Sequence, residues 1–333
     1  MNPLIYILPN VGDIDIKIKY KNSNDMDVNL LKYGHNIFDN NINLNDLSDN
    51  EYHKVCKDYD ISICDEKNFL CEVKKKFGVE KINQDIIHLW EILYMFDILK
   101  SDDNISNNYN EIIKKFSEFK KIENVSFNNK KNNDLYFYHI DDIKEENKIH
   151  IFPFFLLTSL GDILKVQNEG LHLIIQFPNI KTSLCVEVIY FISSLFESCY
   201  LYVPMFNSEL YTDTYLICKN LINKKSIDFK LEDDKIISSL GLIIPEELDN
   251  IIKCMNSIIL PKQYSKFVEI KSYLDENIFD GNKYNDFLES QKQNIDNWIK
   301  LFFDTDNDSK LDIYINNNLK ICNEIDNMEE LKI

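Results

Sequence analysis

The hydrophobic period changes repeatedly between residues 82 and 221, and this alternation constrains the fold more than any other feature. "INQDIIHLWEILYMFDIL" (82–99) places apolar residues at 86, 87, 90, 93, 94 and 98, a helical stripe. "DLYFYHI" (134–140) and "LHLIIQF" (171–177) are short strand-like runs. Between them, "IFPFFLLTSLGDILKVQNEG" (151–170) reads as an apolar helix ending at a glycine, and "VEVIYFISSLFE" (186–197) reads as another. "CYLYVP" (199–204) and "TYLICKNL" (214–221) follow as two strands flanking a loop. This order predicts an open α/β sheet whose last two strands form an antiparallel pair at its edge.

The flanks differ from this middle. Residues 1–75 hold short apolar runs ("LIYILP", "DIDIKIKY", "ISICD") between Asn- and Asp-rich turns, the pattern of an extension made of short strands or irregular structure. Beyond residue 240, "IPEELDNIIKCMNSIIL", "PKQYSKFVEIKSYLDEN" and "NKYNDFLESQKQNIDNWIKLFF" are three helical patterns separated by proline and by "FDGNK". The expected organisation is an N-terminal extension (1–75), an α/β domain (76–225) and a helical C-terminal region (226–333).

Charge narrows the partners. The 37 basic residues, all lysine, face 55 acidic ones, for a net charge of -18. A tight phosphate-backbone binder carries a basic face rich in the guanidinium fork, which this chain lacks entirely. The lysines of "KNLINKK" (219–225) read as a solvated loop. Eight cysteines (56, 64, 71, 185, 199, 218, 254, 322) contain no CxxC pair and sit mostly in apolar runs, so they read as buried free thiols of a reducing compartment. With no signal-peptide pattern and no apolar run of about 18–20 residues, a soluble, cytoplasmic chain without a membrane contact is expected.

The order of elements carries a family likeness. "SLGDILKVQNEGLHLIIQF", then "TSLCVEVIYFISSLFESCYLYVP" and "NSELYTDTYLICKNL", resembles the second half of the FtsJ-like, cap-type RNA 2'-O-methyltransferases of large DNA viruses. The helix "IIHLWEILYMFDIL" resembles the segment before the cofactor strand in that branch, and the tail "LPKQYSKFVEI…ESQKQNIDNWIKLFF" is similar to theirs. The resemblance spans roughly residues 80–303 and lies in hydrophobic pattern and spacing more than in shared motifs.

That likeness implies methyl transfer from S-adenosylmethionine to a ribose 2'-hydroxyl by a Lys-Asp-Lys-Glu tetrad. A ribose hydroxyl is a poor nucleophile, so a base of tuned pKa must take its proton. The position of the first lysine holds His88, and that of the aspartate holds His139 or, with a small shift, Asp141. The second lysine's position holds Gln176 and the glutamate's holds Asp213. An amide neither carries charge nor takes a proton near neutral pH, and losing such a group costs on the order of 10²–10⁴ in rate. A His88–Asp213 pair is the one alternative base, because imidazole titrates near neutrality.

The cofactor half argues the same way. A Rossmann-like methyltransferase needs a glycine-rich turn after its first strand, so that the backbone can approach the ligand closely. The seven glycines (12, 34, 78, 161, 170, 241, 281) are all more than six residues apart. Residues 100–133, which join the helix at 82–99 to the next strand, are polar and hold no glycine. Other chemistry is no better supported. "DTDNDSKLD" (304–312) has acids at the first, third and fifth positions of a calcium loop but Ser309 and Ile315 where glycine and glutamate are wanted. His53 and Cys56 have no second pair for zinc.

The sequence therefore predicts a truncated Rossmann-like methyltransferase sheet with an N-terminal extension and a helical C-terminal lobe. Degenerate positions His88, Asp141, Gln176 and Asp213 leave no expected catalytic group, cofactor or metal. Its role is that of a protein-interaction subunit in viral mRNA metabolism (capping, transcription, polyadenylation or translation), docking a basic protein partner. The alternatives are an active S-adenosylmethionine-dependent enzyme with a rebuilt site, and a non-catalytic cap or RNA binder. In a virus the chain would sit in the host cytoplasm or the virion.

Overall fold

The computed structural model describes residues 3–10, 12, 14–22, 32–33, 75–78, 82–105, 109–127, 134–138, 156–157, 159–161, 169–177, 180–207, 212–223, 235–276 and 281–303. Its elements are β1 (Leu4–Ile7), β2 (Lys19–Asn22), α1 (Gln84–Phe96), α2 (Asn110–Lys120), β3 (Leu135–Tyr138), β4 (His172–Phe177), α3 (Ser183–Ser193), β5 (Phe196–Val203), β6 (Thr214–Leu221), β7 (Lys235–Ser239), α4 (Glu246–Glu276) and α5 (Gly281–Phe302). The fold is α/β. Five strands make one sheet in the order β1-β5-β6-β4-β3, and β2 and β7 make a two-stranded one.

β3 and β4 run parallel, with Leu135 opposite His172, and every other pairing in the main sheet is antiparallel. Both faces are covered, so all six residues of β4 are buried, as expected of a strand with helices on either side. Alternation sends Leu173, Ile175 and Phe177 to one face, where they join Leu216, Leu201 and residues of α3 and α4. Ile174, Tyr215, Ile217 and Tyr202 face the opposite way, into a second core with α1, α2 and the C-terminal part of α5.

Several expectations need correction. β5 and β6 are the antiparallel pair foreseen, but they are not at the edge: β6 lies between β5 and β4, and β1 covers β5 through Leu4–Val203 and Ile7–Tyr200 pairs. The N-terminal strand thus completes the sheet. The helix expected over 186–197 ends at Ser193, and β5 begins at Phe196. Its cause is local: Ser193 and Ser194 hydroxyls donate back to the Tyr190 and Phe191 carbonyls and terminate the last turn. Of the helix expected over 151–170, residues 156–157 and 159–161 are helical and the others lie outside the described residues, apart from a turn at 169–170. β7 is a strand within the region expected to be helical, held by pairing with β2.

Among the described residues the C-terminal region has two long helices where three were expected, because α4 runs through Pro261 without a break. Proline removes one N–H and leaves the carbonyl four residues back unbonded. Here that carbonyl belongs to Ser257, and both Ser257 and Pro261 are exposed, so water can satisfy it. Cys185, Cys199 and Cys218 are free and buried, in line with the thiol expectation. Cys254 is disulfide-bonded, contrary to it, with a partner outside the described residues. A search for CxxC spacing cannot register a bridge between cysteines distant in sequence, and the compartment argument loses that support. Among the described residues no helix is long and apolar enough to cross a membrane.

At the N-terminal end of β4, His172 is 6% exposed and accepts a hydrogen bond at Nδ1 from the Asn220 amide at 3.1 Å. Burial first, then the nearby Lys100 and Lys219 ammonium groups, lower its pKa from 6.5 to about 4. A folded-state pKa below the unfolded one means that the unfolded chain binds the proton more tightly. Stability from this group is full above about pH 6.5 and is lost as pH falls toward 4. Between pH 7 and pH 5 wild type is expected to lose about 2 kcal/mol relative to His172→Gln, read by urea unfolding at both pH values. Parallel pH profiles for the two proteins would rule this out.

Candidate functional site

α1 is buried all round from Ile87 to Phe96, so the two polar residues within that run must find partners inside the protein. The helix starts at Asn83, whose side chain accepts from the Ile86 amide at 3.0 Å, and ends at Asp97 in a left-handed conformation. His88 and Glu91 are three residues apart and share one face. That face meets the connection between β5 and β6.

Glu91 is fully buried and accepts four hydrogen bonds: from the Tyr202 hydroxyl at 2.5 Å, the Met205 and Phe206 amides at 2.8 Å each, and Trp298 Nε1 at 2.7 Å. Burial pushes its carboxyl above the usual range, and the four donors pull the other way. The carboxylate thereby joins α1, β5, the connecting turn and α5. Asn207 extends the clamp, donating to the Asp213 carbonyl at 2.8 Å and accepting from the Asp213 amide at 3.1 Å.

His88 is equally buried. Its Nε2 meets the Phe206 carbonyl in a short hydrogen bond, and its Nδ1 lies 2.8 Å from the Tyr215 hydroxyl. A carbonyl only accepts, so Nε2 carries a hydrogen, and in the neutral ring Nδ1 is then the acceptor of the Tyr215 proton. Burial above all, then the Asp213 and Asp85 carboxylates, raises the Tyr215 phenol well above its usual range, so it keeps that proton to give. The nearest Asp213 oxygen is 3.9 Å from Nδ1, an ion-pair distance and not a hydrogen bond. Both ring nitrogens are engaged by the protein, which is the arrangement of a packed histidine and leaves neither facing a substrate.

Three of the four positions named from sequence thus gather at one end of the sheet. Gln176 pairs with Tyr215 across β4 and β6 and points to the same face, toward α1. Asp213 immediately precedes β6, is 25% exposed at its side chain, and takes a 3.4 Å hydrogen bond from Gln84 Nε2 on α1. Gln176 is 8% exposed, and its Oε1 is buried without a hydrogen-bond partner among the described residues. Asp141 and its alternative His139 lie outside the described residues, as do His53, Cys56 and the acidic loop 304–312. Among the described residues no group of three or more histidine, cysteine or acidic side chains is placed to hold a metal ion.

Sequence reasoning missed Glu91, Tyr202, Tyr215 and Asn207. A glutamate inside the apolar run 86–96 was the available signal, since a carboxylate there must be either paired or at a water-lined face.

No protein-family model matches this chain. It is 29% identical over 350 residues to an uncharacterized protein of Acanthamoeba polyphaga mimivirus, with 99% of each chain covered.

Replacing Glu91 by glutamine turns one acceptor oxygen into an NH₂ group facing donors. Glu91→Gln is expected to destabilise the protein by about 2–4 kcal/mol in urea unfolding. A loss under about 1 kcal/mol would mean that the four bonds contribute little net stability.

Proposed function

We propose that this chain is a non-catalytic binding protein on a degenerate FtsJ-like methyltransferase scaffold, and that it acts through a protein partner in viral mRNA metabolism. The observation that carries this reading is His88: the one residue left to act as a base is sealed in the core with both nitrogens engaged. Gln176, beside it, offers neither charge nor proton transfer. Methyl transfer to a hydroxyl needs both a base and charged neighbours to tune it.

The segment between α1 and β3 supports the same reading. It contributes α2 and two isolated bridges, Asn104–Ser126 and Ile105–Leu135, the second of them along β3 itself. Among its described residues, left-handed turns fall on Asp97, Asp102, Lys121 and Asn124. Each of these carries a Cβ, where close backbone approach to S-adenosylmethionine favours glycine. The residues present are therefore a poor fit to that cofactor. A full-length relative in a mimivirus agrees with a viral setting, and the net charge of -18 suits a basic partner.

Calorimetric titration of folded protein with S-adenosylmethionine to millimolar ligand is the test. No binding heat is expected. Micromolar affinity, about 7–8 kcal/mol, would overturn the non-catalytic reading.

A further inference from the structure

The run from Asp15 to Lys21 alternates between core and solvent. Ile16, Ile18 and Tyr20 pack against the first core, whereas Asp15, Lys17, Lys19 and Lys21 are exposed. The Lys17 amide donates to the Leu240 carbonyl at 2.8 Å, which carries the β2–β7 pairing back to that residue. Strand alternation therefore sets the three lysines in one solvent-facing row, with successive side chains about 6.8 Å apart.

None of the three forms an ion pair among the described residues. Ser239, the β7 partner of Lys19, gives its hydroxyl proton to Glu187, which also accepts from the Leu240 amide, so that carboxylate is engaged on the α3 side. Gly241, packed against the Lys17 backbone, has no side chain to cover the row. Asp15, at one end, is the one acid among the exposed described residues of the run. "KIKYK" is also the only place in the sequence with lysine at three alternate positions, in a chain of net charge -18. A single exposed lysine is a solvated residue worth little to a partner. Three unpaired ammonium groups whose spacing is fixed by a ribbon anchored in the core are a local reversal of sign that sets register.

We propose that the outer face of β2 docks an extended acidic segment of a protein partner, one carboxylate to each of Lys17, Lys19 and Lys21. An extended segment has the same two-residue repeat as β2, so carboxylates at alternate positions along it meet the row in register. A single-stranded nucleic acid would call for aromatic rings on which to stack its bases, and Tyr20 is turned to the core. The row lies on the face of the main sheet opposite that of His88 and Gln176, so the inference goes beyond the methyltransferase scaffold and does not depend on its fate.

The test is a titration of the isotope-labelled full chain with an acetylated, amidated hexapeptide that alternates aspartate with threonine. A hexapeptide of the same composition with its three aspartates in a block is the control, and NMR follows the backbone amides of Lys17, Lys19 and Lys21. Saturable shifts confined to the ribbon are expected, with the alternating peptide at least about threefold tighter than the block. A Lys17→Gln, Lys19→Gln, Lys21→Gln triple variant is expected to bind about tenfold more weakly, with the wild-type spectrum elsewhere. No saturable shift, equal affinity for the two peptides, or unchanged affinity in the triple variant overturns the proposal. If the triple variant does not fold, Lys19→Gln decides: about twofold weaker binding is expected, and no change overturns. An oligouridylate that moves the same amides with equal or higher affinity overturns the proposal in favour of nucleic acid. Shifts at these amides on raising the protein concentration alone overturn it in favour of a second copy of the chain.

Discussion

Four donors from β5, the turn that follows it and α5 converge on the Glu91 carboxylate, and the geometry of the candidate site depends on that convergence. Two of the donors are successive backbone amides, at Met205 and Phe206, so the carboxylate fixes the path of the main chain as it leaves β5. The Phe206 carbonyl is thereby presented to His88, and Asn207 is set to hold Asp213. A buried charge is tolerable only when it is fully hydrogen-bonded, and here the requirement is met by groups from elements distant in sequence. Trp298 brings α5 into the same arrangement; it stacks on Phe77 and meets Phe302 tilted and Phe303 edge-on in the aromatic part of the second core.

The chemistry of the site follows from this packing. The face of α1 that carries His88 is pressed against the sheet, so the imidazole serves as a strut between Phe206 and Tyr215. Gln176 is the cross-strand neighbour of Tyr215, one end of that strut, and the Asp213 side chain is partly exposed. A site built in this way has a rigid wall, a partly exposed carboxylate and one unused acceptor.

Much of this was legible in the sequence, for identifiable reasons. The strands at 135–138, 172–177 and 214–221 and the part of β5 from Cys199 onward announce themselves as short apolar and aromatic runs, whereas Phe196 and Glu197 at the start of β5 read as the end of the preceding helix. The helix at 84–96 announces itself by its apolar stripe, and its asparagine cap is seen only in the structure. The position of β6 inside the sheet was not legible, because which strand pairs with which is decided by long-range packing that local periodicity does not encode. Pro261 read as a boundary because proline disfavours the helix interior, yet an exposed carbonyl four residues back makes it tolerable. The grouping of His88, Gln176 and Asp213 came from family likeness, and their bonding partners Tyr215, Phe206 and Asn207 carry no local signature at all.

The protonation of the His88 ring tests the central claim, that this site holds and does not react. Long-range ¹H–¹⁵N correlation at neutral pH distinguishes the two nitrogens of each histidine. A hydrogen on Nε2 that exchanges slowly with solvent, and a bare, hydrogen-bonded Nδ1, are expected from the bonds to Phe206 and Tyr215. An Nε2 hydrogen exchanging at the rate of an exposed imidazole, or an Nδ1 without a hydrogen bond, would contradict that claim and return His88 to the role of a base.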